Sequence, residues 1–351
     1  MVVVISLKKN RVNWLDYAKG IGILLVVLDH TISGLLNSQL ISYSSLELQI
    51  KIIYSGFFMP LFFIIAGLFA EKSISKPFFT VLTTKLRTLA YPYIIWSVVQ
   101  KILLIAAAQH INSPALSNPA MFAFNMVFQP YQQLWFIYAL LIISLTHLGL
   151  RKLGLSPFYF LLFGACIYFS SVNRSNLPFI VTQLQHYTIF FSLGAWIGSA
   201  LLTSVLSRLD LLFDRRTLLA TTLGGYGFII AVSFLPLVYD EKIKVLIRYL
   251  LTGSVGSLAT LALCLWLAQN FKAHHLAFLS FLGRSSLEIY VAHLIFIAGG
   301  RIILWKGIGI TNSMLHLVSG MIFSLSFPVI LKVFFQRIGF RYAFTFPASH
   351  N

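Results

Sequence analysis

Long runs of apolar residues alternate with short polar segments along almost the whole chain. A helix needs about 20 mainly apolar residues to cross the hydrocarbon core of a bilayer, and ten stretches approach that length. The pattern therefore predicts an all-α fold: one domain over residues 1–351 that forms a polytopic membrane bundle of about ten transmembrane helices. The predicted stretches are 15–36, 50–70, 86–108, 133–150, 156–171, 186–204, 217–238, 246–268, 286–304 and 313–335.

Composition supports a membrane protein and excludes an ordinary soluble domain. Hydrophobic residues make up 58% of the chain and charged residues only 10%, whereas about a quarter of the residues in a soluble domain are charged. The formal net charge of +17 does not indicate nucleic-acid binding, because excess Lys and Arg in a membrane protein reports orientation and attraction to lipid headgroups. Ten spans place about twice as many basic residues on one side as on the other, which predicts that both termini are cytoplasmic.

The first apolar stretch carries ionisable residues that a lipid-facing helix would avoid. Lys19 lies near one end, and the adjacent Asp29 and His30 lie near the other. A step of eleven residues is almost three turns, so Lys19 and His30 share one helix face about 16 Å apart. His30 could simply hydrogen-bond to another helix while Lys19 snorkels to the headgroups. Because Asp29 adjoins His30 and such groups cost roughly 2.5–3.5 kcal/mol each, we favour a functional role.

Two basic residues precede the third stretch. Lys85 and Arg87 stand just before Pro92 in the segment KLRTLAYPYIIW. Basic residues at a cytoplasmic helix end are ordinary determinants of topology, and that interpretation is the stronger one on sequence alone. A role in binding an anionic ligand is the alternative.

The segment GRSSLEIYVAH forms a third polar grouping. Ser286, Tyr290 and His293 follow one another at helical spacing and predict a single stripe on one helix face, with Glu288 nearby. Glu288 and Arg284 could instead form an ion pair at the helix start, and Tyr290 could lie at the membrane surface. The sequence leaves these two interpretations evenly balanced.

Other chemistry-bearing residues give weaker signals. His147 lies near the end of a predicted span, which indicates a position at the membrane surface. His274 and His275 have no carboxylate or cysteine at ligand spacing, so no metal site is predicted. Cys166 and Cys264 both fall inside apolar runs, and no disulfide is predicted.

Five blocks of the chain occur in a fixed order: RVNWLDYAKGIGILLVVLDH, GFFMPLFFIIAGLFA, KLRTLAYPYIIW, QLWFIYALL and LGRSSLEIYVAH. Together they resemble the membrane-bound acyltransferase 3 family. In that family a basic residue, ten residues and a histidine open the first span, matched here by Lys19 and His30. The later blocks follow in the same order across about 280 residues, and the chain length is most similar to the branch described as fucose 4-O-acetylase-like. In one departure, the spacing from Arg87 to Pro92 is one residue longer than the family pattern.

The resemblance implies an O-acyltransferase of the bacterial inner membrane. Such an enzyme would move an acetyl group from cytoplasmic acetyl-CoA to a hydroxyl of a surface or secreted carbohydrate. Acetyl-CoA would be a substrate rather than a tightly bound cofactor. On this basis Lys19, with Lys85 or Arg87, is expected to bind the CoA phosphates. The 16 Å step to His30 is of the order that the pantetheine arm would span.

The resemblance also suggests roles for the remaining polar residues. His30 would be the general base, Asp29 would orient its ring or hold the imidazolium, and Glu288 would assist on the acceptor side. A transient acetyl-histidine at His30 is an alternative use of the same residue. Substrate binding is assigned to four residues of the later blocks, namely Trp135, Ser286, Tyr290 and His293.

A transporter or flippase for a glycan or a lipid-linked precursor is the competing function. It would use His30 and Glu288 as a proton relay. The chain lacks the internal repeat that many transporters show, which weighs against this alternative without excluding it. The expected partners are acetyl-CoA, a carbohydrate and membrane lipids, and homo-oligomerisation is left open.

Overall fold

The computed structural model describes residues 13–107, 119–130, 132–173, 177–201, 213–235, 242–340, 342–344 and 346. Regular structure in these residues is helical throughout, which confirms the all-α prediction. The first six α-helices are α1 Asn13–Asn37, α2 Leu46–Ser55, α3 Phe58–Leu68, α4 Phe78–Lys85, α5 Tyr91–Ala107 and α6 Pro119–Phe128. The others are α7 Trp135–Lys152, α8 Pro157–Ser170, α9 Phe179–Ala200, α10 Arg215–Ser233, α11 Lys242–Asn270, α12 Ala277–Arg284, α13 Ser286–Ile302 and α14 Ser313–Arg337.

Local sequence accounts for several helix starts. Asp214 precedes α10 and accepts a hydrogen bond from the backbone N–H of Arg216 at 2.9 Å. Asn312 precedes α14 and accepts one from the N–H of Leu315, also at 2.9 Å. Side-chain oxygens at this position satisfy N–H groups that the first helical turn leaves unpaired.

Seven helical segments of the described chain are long and apolar enough to cross a membrane, which confirms a polytopic bundle. They are Asn13–Asn37, Leu46–Ser73, Phe78–Ala106, Gln132–Lys152, Lys242–Asn270, Ser286–Gly307 and Ser313–Arg337. The predicted stretch at 156–171 is the shorter apolar helix α8, and 186–204 and 217–238 correspond to α9 and α10. The count of ten and the cytoplasmic location of both termini stay predictions.

Helix α1 lies inside the bundle. It packs against α3, α11, α12, α13 and α14, and twelve of its 25 residues are buried. A helix that is buried on several sides leaves its polar side chains facing neighbouring helices rather than lipid. The ionisable residues of α1 are therefore available for a site within the bundle.

Candidate active site

Two histidines face each other where α1 and α13 pack together. The ring centroids of His30 and His293 lie 5.1 Å apart. His293 is fully buried, and its Nδ1 lies 2.7 Å from the carbonyl oxygen of Tyr290. Because a carbonyl only accepts hydrogen bonds, Nδ1 carries the proton, and the neutral ring presents the lone pair of Nε2. That Nε2 atom has no hydrogen-bond partner among the described residues.

Asp29 forms an ion pair with a lysine of α2. Its carboxylate lies 3.1 Å from Nζ of Lys51 on α2, and Lys51 also donates to Oγ of Ser33. Consecutive residues of a helix point about 100° apart, so Asp29 and His30 do not face each other directly. The predicted action of Asp29 on the His30 ring stays a prediction.

A cavity of about 380 Å³ extends from the N-terminal half of α1, and we name it the lysine cavity. Two lysines line this cavity: Lys19 of α1, and Lys85, which is the last residue of α4. Ser286 and Tyr290 of α13 line the same cavity, and apolar side chains of α1, α3 and α7 form much of its remaining wall. The structure thus brings together four of the residues singled out from the sequence.

Lys85 and Arg87 go to different places. Arg87 is not among the residues that line the lysine cavity, and its guanidinium lies over the ring of Phe346, 5.7 Å from the centroid. A π-helical turn, Leu86–Ala90, separates Lys85 from α5. Such a turn contains one residue more than an α-helical turn, and it accommodates the extra residue between Arg87 and Pro92. Lys85, and not Arg87, is therefore the residue that joins Lys19 in the lysine cavity.

Tyr290 connects the lysine cavity to the histidine pair. Its side chain lines the cavity, and its ring centroid lies 6.1 Å from that of His293. Val26 also lines the cavity and lies one turn before His30 on the same face of α1. The cavity therefore runs from the two lysines to a point next to the histidine pair.

Glu288 faces away from this cavity. Its carboxylate forms an ion pair with Lys332 of α14, and it is not among the cavity-lining residues. Glu288 precedes His293 by five residues, which places it about 7.5 Å along α13 toward the lysine end of the bundle. Its role on the acceptor side stays a prediction. The ion pair with Lys332 indicates instead that Glu288 holds α13 against α14.

Trp135 lies in an aromatic cluster rather than in the wall of the lysine cavity. Its ring centroid is 4.9 Å from that of Tyr187 and 6.4 Å from that of Phe63. The neighbouring Phe136 does line the cavity, and its ring contacts Tyr290 edge-on at 5.4 Å. Trp135 therefore supports the wall from behind.

The structure corrects the surface position predicted for His147. The side chain is buried, and its Nε2 lies 3.1 Å from the carboxylate of Glu71. Arg151 binds the same carboxylate at 3.0 Å. The sequence could not show this cluster, because Glu71 lies about 80 residues away and resembles an ordinary charge at a helix end.

Two buried glutamines are further polar residues that the sequence did not single out. The side-chain amides of Gln100 and Gln133 both donate to the backbone carbonyl of Val291, at 2.9 and 3.3 Å. Val291 lies between Tyr290 and His293, so this polar layer surrounds the histidine end of α13. No group of three or more His, Cys, Asp or Glu side chains suited to a metal ion occurs within the described ranges.

Comparison with known families gives a match over most of the chain. The model of the acyltransferase 3 family, described as an acyltransferase domain, matches residues 12–333. The matched region includes the lysine cavity, the histidine pair and all residues predicted for the site. Comparisons with curated proteins and with solved structures give no match.

Proposed function

Because the chain belongs to the acyltransferase 3 family, we propose that it is an O-acetyltransferase that uses acetyl-CoA and acts on a carbohydrate. Family membership supports a membrane acyltransferase. The acetyl group, the CoA donor and the carbohydrate hydroxyl are our proposal. The observation that carries it is the lysine cavity, which is lined by Lys19 and Lys85. Lys19 lies about 16 Å along α1 from His30, a separation that suits a long thioester donor.

The two lysines would bind the donor through its phosphates. Ammonium groups form charge-assisted hydrogen bonds with phosphate oxygens, and these are stronger than neutral ones. The apolar walls of the cavity suit the pantetheine arm. Its amides would hydrogen-bond to polar side chains in the wall, such as Ser286. With the phosphates at the lysines, the thioester reaches the Tyr290 end of the cavity.

His30 would then act as the general base. Its ring takes the proton of the acceptor hydroxyl while the oxygen attacks the thioester carbonyl and forms a tetrahedral intermediate. Collapse of that intermediate breaks the carbon–sulfur bond, and the CoA sulfur receives a proton, so the products are an O-acetyl ester and free CoA. Tyr290 lines the cavity, and its hydroxyl would donate a hydrogen bond to the developing oxyanion.

His293 would position the ring of His30 and stabilise the positive charge that His30 gains when it takes the proton. Its Nδ1 is fixed by the backbone of Tyr290, so the orientation of its ring is set before any substrate binds. The free Nε2 lone pair then accepts a hydrogen bond from the protonated His30 ring or from the acceptor. We further propose that the protein lies in a bacterial inner membrane with the lysine end facing the cytoplasm, because acetyl-CoA is cytoplasmic.

The central experiment replaces His30 by Ala in the purified protein. We expect loss of acetyl transfer from radiolabelled acetyl-CoA with unchanged acetyl-CoA binding, because the lysine cavity does not include the His30 side chain. His274→Ala is the matched control, since that histidine is exposed and lies between α11 and α12. Full acetyl transfer by the His30→Ala protein would refute the assignment.

The same preparation distinguishes acyl transfer from transport. A flippase has no reason to bind acetyl-CoA, so binding by the wild-type protein supports the transferase. Comparing O-acetylation of surface glycans by NMR in a deletion strain, its parent and a strain complemented with His30→Ala then tests the acceptor class. Unchanged glycan acetylation in the deletion strain would refute the carbohydrate acceptor.

A further inference from the structure

Arg301 reaches back from the last turn of α13 toward α1. A Cβ atom built on Gly34 would collide with Nη1 of Arg301, so the guanidinium lies directly against the backbone of α1. Helical side chains lean toward the N-terminus of their own helix. Arg301 therefore extends toward His293 rather than toward the nearby end of α13, and Gly34 leaves the room that this requires.

The guanidinium has no counter-charge in the part of the chain that the structure describes. No hydrogen bond or ion pair of Arg301 is found there, although its residue is partly buried. A charge removed from water without a partner is costly, and such groups within membrane segments are typically functional. An arginine that only anchored the helix at the membrane surface would point the other way.

Arg301 and Lys51 flank the space one turn beyond His30. At 100° per residue, Gly34 lies about 40° to one side of His30 and Ser33 about 60° to the other. Arg301 contacts the first of these positions and Lys51 the second. We name this place the arginine subsite and define it by Gly34, Ser33, Lys51 and Arg301. Asp29 neutralises Lys51, so the subsite keeps the one positive charge of Arg301.

We propose that the arginine subsite binds an anionic group, a carboxylate or a phosphate, on the carbohydrate acceptor. The proposal rests on the proposed function and names the acceptor class. The planar guanidinium pairs with either anion through two parallel hydrogen bonds. One helical turn, about 5.4 Å, is comparable to the width of a sugar ring. An anion bound at Arg301 therefore places a hydroxyl of the same sugar beside His30.

The test compares ligands that differ in one group. Methyl β-D-glucuronide, methyl β-D-glucoside and glucose 1-phosphate are titrated into the purified wild-type protein, and thermal stabilisation gives an apparent Kd. We expect stabilisation by at least one of the two anionic sugars and none by the glucoside. The glucuronide identifies a carboxylate and glucose 1-phosphate a phosphate as the recognised group. Equal stabilisation by the glucoside, or by sodium chloride at the same ionic strength, would overturn the proposal.

Variants then locate the binding. Arg301→Gln should weaken binding of the anionic sugar by at least about tenfold, because it removes the charge-assisted hydrogen bonds of the guanidinium. Arg301→Lys should retain part of the affinity. Arg248→Gln is the matched control, since Arg248 donates to carbonyls of Ser233 and Leu235 near the end of α10. Unchanged affinity in Arg301→Gln would overturn the assignment.

Acetyl-CoA binding separates this proposal from the proposed function. Arg301→Gln should bind acetyl-CoA as the wild type does, which also shows that the variant is folded. If the wild type binds anionic sugars through Arg301 but does not bind acetyl-CoA, the transferase proposal fails and the arginine subsite stands. If acetyl-CoA binds and no sugar discriminates by charge, the subsite fails alone.

Discussion

Replacing Gly283 by Ala tests the packing that holds α1 in place. Gly283 lies in α12, and an added Cβ would collide with the backbone carbonyl oxygen of Asp16 in the first turn of α1. A backbone group cannot rotate away as a flexible side chain does, so one of the two helices must move. Asp16 is three residues from Lys19, so the movement displaces the wall of the lysine cavity.

The magnitude follows from comparison with a glycine that has open space. An added Cβ at Gly299 in α13 meets nothing within 4 Å, so Gly299→Ala should gain the usual helix benefit of about 0.5–1 kcal/mol. Overpacking at Gly283 should cost about 1–3 kcal/mol. The two variants should therefore differ by at least about 1.5 kcal/mol, which corresponds to at least about 3 °C in Tm at roughly 2 °C per kcal/mol.

The assay follows unfolding in detergent with a thiol-reactive fluorescent dye. Cys264 is fully buried and Cys166 is exposed, so a Cys166→Ser background leaves one thiol that reacts on unfolding. We also expect a raised KM for acetyl-CoA in Gly283→Ala and an unchanged KM in Gly299→Ala. If Gly283→Ala melts at or above the Tm of Gly299→Ala, the close approach of α1 and α12 does not control stability, and the reasoning is wrong.

Two further predictions concern charged groups. Lys19→Ala and Lys85→Ala should each raise the KM for acetyl-CoA by about tenfold or more, whereas Arg87→Ala should stay within about twofold; an equal rise for Arg87→Ala would contradict the placement of the donor. Asp29→Asn should lower the Tm because it leaves the Lys51 ammonium without its partner, and adding Lys51→Met should restore part of the loss. If the double variant is no more stable than Asp29→Asn, Asp29 and Lys51 do not stabilise the protein as a pair.

The parts of the site that follow helical periodicity were predictable from the sequence. The eleven-residue step from Lys19 to His30 and the spacing of Ser286, Tyr290 and His293 each define one helix face without knowledge of any neighbour. The structure places Lys19, Ser286 and Tyr290 in one cavity. It also brings His30 to His293, a contact between helices that periodicity alone cannot supply.

Residues paired across long sequence separations were not predictable in this way. Lys51 stands at the start of an apolar stretch, where basic residues commonly set orientation, yet it binds Asp29. His147 looked interfacial, yet it is buried against Glu71. In each case a charge near a helix end has the same local signature whether it faces lipid headgroups or another helix. Only the packing of the bundle decides between the two.

The proposed reaction depends on how two helices are aligned. Helix α1 presents Lys19, His30 and Gly34 in that order, and α13 presents a single stripe that runs from Ser286 through Tyr290 and His293 to Arg301. Both helices run in the same direction, so the donor end, the histidine pair and the arginine subsite occur in the same sequence on each.

A shift of α13 by one residue would rotate its stripe by about 100°. It would break the contacts of His293 with His30 and of Arg301 with Gly34, and it would turn Ser286 and Tyr290 away from the lysine cavity. In the proposed reaction, binding of the donor, proton transfer and binding of the acceptor are therefore not independent. All three depend on one helix interface. The close contact of Gly283 with Asp16, just before α13 begins, fixes the relative position of the two helices.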